Sequence, residues 1–248
     1  MTKIGIIGGS GLDNPDFFQN PKDLDVETPY GKLASPLKTG QIEGKEVVMC
    51  ARHGREHTFP PTQVNFRANI HALKEAGCES ILATTAVGSL RQEIDRGHLV
   101  ILDQFIDFTR FRSISFYESF EPHNPMHTPM ADPFDEDLRG RMIKACQGLG
   151  ITHHEKGTVV TIEGPRFSTR AESNMFRLWG ADVINMSTAP EAILSNEAGL
   201  PYAAVAMSTD YDCWKTGEAP VTWDEILKIF TENAQKVTSM LIETIKSM

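Results

Sequence analysis

The sequence predicts an α/β fold, a largely parallel or mixed sheet with helices on both faces. Three observations carry this expectation. Apolar runs of strand length alternate with helical patterns through most of the chain. Runs such as "KIGIIGG" and "PYAAVAMS" read as buried strands, which suits a sheet covered on both faces. The 248 residues, 40% hydrophobic and 23% charged, are enough to bury a sizeable core without staples, so residues 1–248 read as a single domain.

The elements run in order along the chain. "KIGIIGG" (3–9) is a strand stopped by glycines, and "KLASPLKTGQIEGKEVVMCARHG" (32–54) holds two or three strands with turns at "KTG" and "EGK". "TQVNFRANIHALKEAG" (62–77) has helical spacing, with Val64, Ile70 and Leu73 on one side and Gly77 as its stop. "SILATTAVGSL" (80–90) and "HLVILDQFIDFT" (98–109) are strands. "DEDLRGRMIKACQGLG" (135–150) is a helix capped by Asp135 and ended by Gly150. Strands at "KGTVVTIEGPRF" (156–167), "DVINMST" (182–188) and "PYAAVAMSTD" (201–210) then alternate with helices at "TRAESNMFRLWG" (169–180) and "APEAILSNEAG" (189–199). The last helix (222–248) opens with Thr222 and Glu225 in capping-box spacing. Residues 110–134 are aromatic-rich and irregular; so long a loop is functional or pinned at an interface.

Composition removes several classes. A net charge of −9 disfavours nucleic-acid binding, which needs a basic face. The four cysteines are scattered without a CxxC pair, so neither a zinc framework nor a disulfide scaffold is expected, and reduced thiols in a cytoplasmic protein are. The N-terminal apolar run breaks at glycines, and no run is long enough to span a membrane.

Six short stretches fall at the ends of predicted strands, where open α/β sheets bind ligands. "GGSGL", with Ser10, is either a glycine anion loop or a tight turn; the dinucleotide fingerprint lacks its third glycine. "ARHGREH" gathers Arg52, His53, Arg55 and His57, either an anion grip or a solvated loop of surface pairs. "TTAVGS" offers Thr84, Thr85 and Ser89 around a glycine, as an anion site or an ordinary turn. In "EGPRFSTRAE", Phe167 either stacks on a heterocycle or is core, with Glu163 pairing Arg166 or Arg170. "STDYDCW" sets Asp210 and Asp212 two positions apart, as a functional pair or as turn caps. "VINMST" adds Met186 and Ser187 at another strand end, where a strand methionine is more often core than ligand contact. Jointly they point to a phosphate beside an aromatic-lined pocket with a carboxylate pair.

Together "GGSGL", "ARHGREHT", "TTAVGSL", "IEGPRFSTRAES", "WGADVINMS", "EAGLPYA" and "STDYDCW" resemble, in order and over nearly the whole chain, the methylthioadenosine phosphorylase branch of the trimeric purine nucleoside phosphorylases. The resemblance implies a twisted mixed sheet partly closed into a barrel and surrounded by helices. It implies phosphorolysis of a purine nucleoside with inversion at C1′, in purine and methionine salvage. No metal or organic cofactor is implied, inorganic phosphate being a co-substrate. It assigns phosphate to Ser10, Arg52, His53, Thr85, the Ala86 backbone and Ser187, ribose to Met186, and base stacking to Phe167; Tyr211, between the two acids, counts among the substrate-binding residues. Ser168 and Trp223 fall where the family varies with substrate preference. His127 resembles a residue reaching into a neighbouring subunit's 5′ pocket, which makes 110–134 an interface in a homotrimer or a dimer of trimers.

The carboxylate pair then has a purpose. A departing purine needs a proton at N7, and a carboxylic acid whose pKa is raised by burial and a neighbouring charge can give it. A second, ionised carboxylate accepts from the 6-amino group and repels an oxopurine O6. By this analogy Asp210 donates to N7, Asp212 binds N6, and a 6-aminopurine nucleoside bearing a 5′-methylthio group is the expected substrate. Longer family members add a C-terminal segment over the 5′ pocket, and the sequence ends at Met248, which keeps adenosine as a further candidate. The competing readings are a 6-oxopurine or methylthioinosine phosphorylase, a nucleotide-binding oxidoreductase, and a non-catalytic nucleoside-binding protein.

Overall fold

The computed structural model describes residues 3–9, 17–217 and 222–248, the Trp223 side chain excepted. Among them run β1 (Lys3–Gly8), β2 (Gln19–Leu24), β3 (Leu37–Ile42), β4 (Lys45–Ala51), α1 (Phe66–Glu75), β5 (Ser80–Ser89), β6 (Leu99–Ile101), β7 (Gln104–Phe108) and α2 (Glu136–Gly148). The chain continues through β8 (His153–His154), β9 (Thr158–Ile162), α3 (Arg170–Leu178), β10 (Val183–Asn185), α4 (Thr188–Glu197), β11 (Tyr202–Tyr211) and α5 (Trp223–Lys246). All eleven described strands join one mixed sheet, in the order β2-β3-β4-β1-β5-β10-β9-β7 with β11 also on β5 and β6 bridging β11 to β8.

Strand β5 is the hub. Its first half pairs in parallel with β1, its whole length with β11, and its end with β10 antiparallel. From β5 the pairings pass one way through β11 to β6 and the other way through β10 and β9 to β7. The expected single strand over 98–109 is thus two strands. At the break the Leu102 amide donates to Ala204 of β11, while the Asp103 amide turns to the Gly157 carbonyl beside β9. The chain itself links the two arms at that point, and no β6–β7 ladder is found among the described residues.

Alternation along the central strands feeds two main cores, and Val160, Ile162 and Ile184 join Phe176 of α3 in a smaller third one. Ile4 and Ile6 of β1, Leu82 of β5, and Ala203, Val205 and Met207 of β11 join Met142 of α2 and Phe230 and Leu241 of α5. Ile7, Ile81, Ala83, Tyr202 and Ala204 face the other way, toward Ile70 and Leu73 of α1 and Leu194 of α4. This is why the sequence shows continuous apolar runs: each side chain is buried, whichever face it meets. Each such Ile, Leu or Phe contributes about 1.5–3 kcal/mol.

Asp135 caps α2 by accepting from the Leu138 amide, and Thr222 and Glu225 complete the expected capping box. Thr169 and Glu172 form a second box on α3. "KTG" is not a turn but lies inside β3, whose partner β4 comes after the Glu43–Gly44 turn. Edge strand β2 and the two-residue β8 carry too little apolar pattern to be read from sequence. Residues 110–134 contain no helix or strand beyond an isolated bridge at Glu121 and Asn124, and they expose Phe111, Phe120 and Met126. Among the described residues no helix is long and apolar enough to cross a membrane.

Candidate active site

A cleft of about 490 Å³ opens at the carboxyl ends of β4, β5, β9, β10 and β11. It brings together Arg52, His53, Thr85, Ala86, Phe167, Ser168, Met186, Ser187, Asp210 and Asp212. Ser10 and the Trp223 side chain lie outside the described residues. Two expected site residues are elsewhere. Tyr211 points to the opposite side of β11 from its acidic neighbours, its hydroxyl 3.0 Å from the Gln92 carbonyl and 3.1 Å from Asp95. Strand alternation puts it there. His127 is exposed in the irregular segment, edge-on to Phe120, and does not line the cleft of its own chain.

One half of the cleft gathers Arg52, His53, Thr85 and Ser187. Arg52 directly succeeds β4 and is only 2% exposed. Its Nε and Nη2 form a two-pronged bond with Glu191 of α4, and Nη1 donates to the Thr84 carbonyl at 3.1 Å. The Tyr202 hydroxyl donates to the same carboxylate at 2.9 Å. A side chain at Gly9 is excluded: a Cβ there would sit 2.6 Å from Arg52 Nη1 and 2.8 Å from the Thr84 carbonyl oxygen. The glycine therefore serves close approach to the arginine. The His53 Nδ1–H donates to the Phe59 carbonyl at 2.8 Å. Burial, then the charge of Arg52, pushes the His53 pKa down to about 3, so its ring is neutral. Arg55, from the same cluster, turns outward to Asp23.

Ser187 occupies the N-cap of α4, but its hydroxyl makes no capping bond and the residue lines the cleft at the positive end of the helix. Behind it Asn185 links Thr85 Oγ1 at 3.1 Å to Thr161 at 2.9 Å, and also donates to Thr188. A buried amide thus ties the middle of β5 to the ends of β9 and β10.

The other half carries the acids. Between Ser208 and Asp210 the β11–β5 register slips, so that Ser208 faces Val87 and Asp210 faces Gly88. This bulge re-aims the chain end. Gly88 makes room: a Cβ there would lie 3.2 Å from Asp210 Oδ2 and 3.5 Å from Asp212 Cβ. Burial raises the Asp210 pKa to about 6; the Thr209 hydroxyl, 2.8 Å away, opposes the rise and the charge of Asp212 adds to it. Asp212 is buried and accepts from Ser168 Oγ, which lies 3.0 and 2.7 Å from its two oxygens. Phe167 is 50% exposed and open to the cleft, so it is not core. Glu163 pairs with Arg112, not with Arg166 or Arg170; Arg166 pairs with Glu172.

Sequence reading missed Glu191 and Thr161, which lie behind the cleft and hold its residues, and Asn185 and Thr209, which line it. Glu191 is 1% exposed; its only sequence sign is its place in the first turn of a helix that begins at a candidate anion residue. Among the described residues no group of three or more His, Cys, Asp or Glu could hold a metal ion.

A mixed sheet with Arg52 and hydroxyls on one side of its strand-end cleft and two acids on the other fits a glycosyl-transferring phosphorylase, and the chain belongs to the phosphorylase superfamily, whose family model matches residues 3–246. The S-methyl-5′-thioadenosine phosphorylase of Danio rerio is 54% identical over 247 residues, covering 98% of this chain and 88% of that protein. The enzyme of the same name from Thermofilum pendens is 49% identical over 249 residues, covering 100% and 92%. The solved methylthioadenosine phosphorylase of Schistosoma mansoni in complex with adenine superposes with a TM-score of 0.94 at 40% identity, covering 99% of this chain and 91% of that one.

Proposed function

We propose that the chain is a pentosyltransferase that catalyses reversible phosphorolysis of S-methyl-5′-thioadenosine to adenine and 5-methylthio-α-D-ribose 1-phosphate. One observation carries the reading: a carboxyl with its pKa raised to about 6, Asp210, beside an acceptor carboxylate, Asp212, in the same cleft as Arg52 and the α4 N-terminus. Phosphate sits among Arg52, His53, Ser10, Thr85, the Ala86 backbone and Ser187. A phosphate oxygen bonds to C1′ while the C1′–N9 bond breaks and its electron pair moves onto the purine. Asp210 gives its proton to N7, so adenine leaves neutral. Asp212, oriented by Ser168, accepts from the 6-amino group, and Phe167 stacks on the ring. Positive charge growing on the ribose is stabilised by the phosphate on one face, and Met186 packs against the sugar. Apolar cleft residues such as Phe59, Pro60 and Ile226 suit a 5′-methylthio group.

Residues 1–248 act as one domain, with phosphate as co-substrate and no metal or organic cofactor, in the cytoplasm. Exposed Phe111, Phe120 and Met126 support a homotrimer in which His127 reaches a neighbouring cleft.

Base release from methylthioadenosine, methylthioinosine, adenosine and inosine, each with and without phosphate, tests the reading. Phosphate-dependent adenine release, fastest from methylthioadenosine, is expected; faster hypoxanthine release would overturn it. Asp212→Asn is expected to shift the adenine-to-hypoxanthine ratio of kcat/KM toward hypoxanthine by at least about tenfold, since the amide offers O6 a donor. An unchanged ratio would remove Asp212 from base selection. Gly9→Ala is expected to displace Arg52 at a cost of about 1–3 kcal/mol and to raise the phosphate KM without a matching rise in the nucleoside KM. Equal changes in both would count against Arg52 as the phosphate residue.

A further inference from the structure

We infer that Arg112 is a positioning residue for the nucleoside half of the cleft, and that the irregular segment 110–118 acts on the site through it. The inference rests on the phosphorolysis reading above. The Arg112 side chain is 2% exposed and does not line the cleft. Its guanidinium instead joins two strand ends. Nη1 donates to the Met186 carbonyl, just past β10. Nη2 donates to the Glu163 carbonyl at 2.6 Å, just past β9, and lies 3.4 Å from the Ile162 carbonyl. The β9–β10 ladder stops at Thr161 and Asn185. Arg112 therefore supplies a cross-link where the backbone rungs end.

The residues beyond each strand end make that link consequential. After Glu163 come Pro165, Phe167 and Ser168, and after Ile184 and Asn185 comes Met186; all of these line the cleft. The two sides already touch, since a Cβ on Gly164 would fall 2.4 Å from Met186 Sδ. Arg112 thus adds a planar cross-link between the base wall and the sugar wall, beyond the Thr161–Asn185 bond and the Gly164–Met186 contact. Lysine could not replace it, because a single ammonium lacks the fork that reaches both carbonyls at once.

Glu163 anchors the other end. Its Oε2 accepts from the amides of Arg110 at 2.7 Å and Phe111 at 3.2 Å, while Oε1 accepts from Arg112 Nε at 3.3 Å. Farther on, the Phe116 amide and Ser115 hydroxyl bind Glu197, the last residue of α4, and Arg67 holds Glu118. The segment therefore spans α4 from the residues preceding its first turn to its last residue.

The test measures kcat and both KM values for wild type, Arg112→Met and Arg112→Lys with methylthioadenosine and phosphate. Displaced walls misalign the nucleoside most; of the proposed phosphate residues only Ser187 adjoins a linked carbonyl, while Arg52 and Thr85 keep their own contacts. Arg112→Met is expected to lower kcat/KM for the nucleoside about 10- to 100-fold, with Arg112→Lys recovering only a small part, while the phosphate KM moves less than about twofold. If Arg112→Met does not fold, Glu163→Gln carries the test, with the same split at smaller size. Equal changes in both KM values, or lost thermal stability with both KM values unchanged, would overturn the inference. Wild-type protein without phosphate-dependent base release would instead sink the phosphorolysis reading.

Discussion

Asp210→Asn is expected to lower kcat for adenine release by about 10²- to 10⁴-fold, the usual worth of a positioned proton donor. The same substitution is expected to stabilise the protein at neutral pH. The folded pKa of about 6 lies above the ordinary 3.8, so folding favours the protonated carboxyl. Stability from this group is complete below the unfolded value and is lost as pH climbs from about 4 to about 6, by at most about 3 kcal/mol. Asparagine does not titrate, and its amide oxygen can still accept from Thr209. The melting-temperature gain of Asp210→Asn should therefore be small at pH 4, grow to about pH 6 and then hold constant, measured without phosphate. In the wild type, kcat/KM should fall as pH rises past about 6, where the free enzyme loses its acid. A gain equal at pH 4 and pH 8 would mean that Asp210 is not strained toward its acid form. Retained turnover would remove it as the proton donor.

The acids were legible in the sequence because carboxylates at the end of a buried strand conflict with local expectation, and such conflicts gather at functional sites. The bulge at Ser208–Asp210 was not legible, since it depends on the register against Gly88, far from either acid in the chain. Arg52 was legible as a basic residue after a buried run, but the division of its cluster, with Arg55 turned to Asp23, was not. Helix caps at Asp135 and Thr222 are local devices and could be read directly. The split between β6 and β7 was hidden because Phe105, Ile106 and Phe108 continue the apolar run of β6 past Asp103 and Gln104; the change of partner from β11 to β9 separates the two strands. Tyr211 was misplaced for a related reason. The resemblance counted it with the two acids that flank it, whereas the pleat of β11 carries it to the other side.

Glu191→Ala is expected to destabilise the protein by about 3–5 kcal/mol, because it leaves the Arg52 guanidinium buried without its counter-charge. For a chain of this size that corresponds to a fall of about 6–20 °C in melting temperature. The loss includes the acceptor of the Tyr202 hydroxyl, so Tyr202→Phe alone should cost far less. The pair is not expected to be retained for stability. Two charges taken out of water gain little over apolar groups of similar volume, and a buried ion pair can often be replaced without net cost. The double substitution Arg52→Met with Glu191→Leu should therefore recover most of the stability that Glu191→Ala loses, yet show no measurable phosphate binding by calorimetry. Glu191→Gln, which keeps one acceptor for the guanidinium, should fall between wild type and Glu191→Ala in stability. A double variant as unstable as Glu191→Ala would show that the site depends on the ion pair for its fold. A double variant that is stable and still binds phosphate would show that hydroxyls and the α4 N-terminus suffice for the anion, and Arg52 would lose its assigned role.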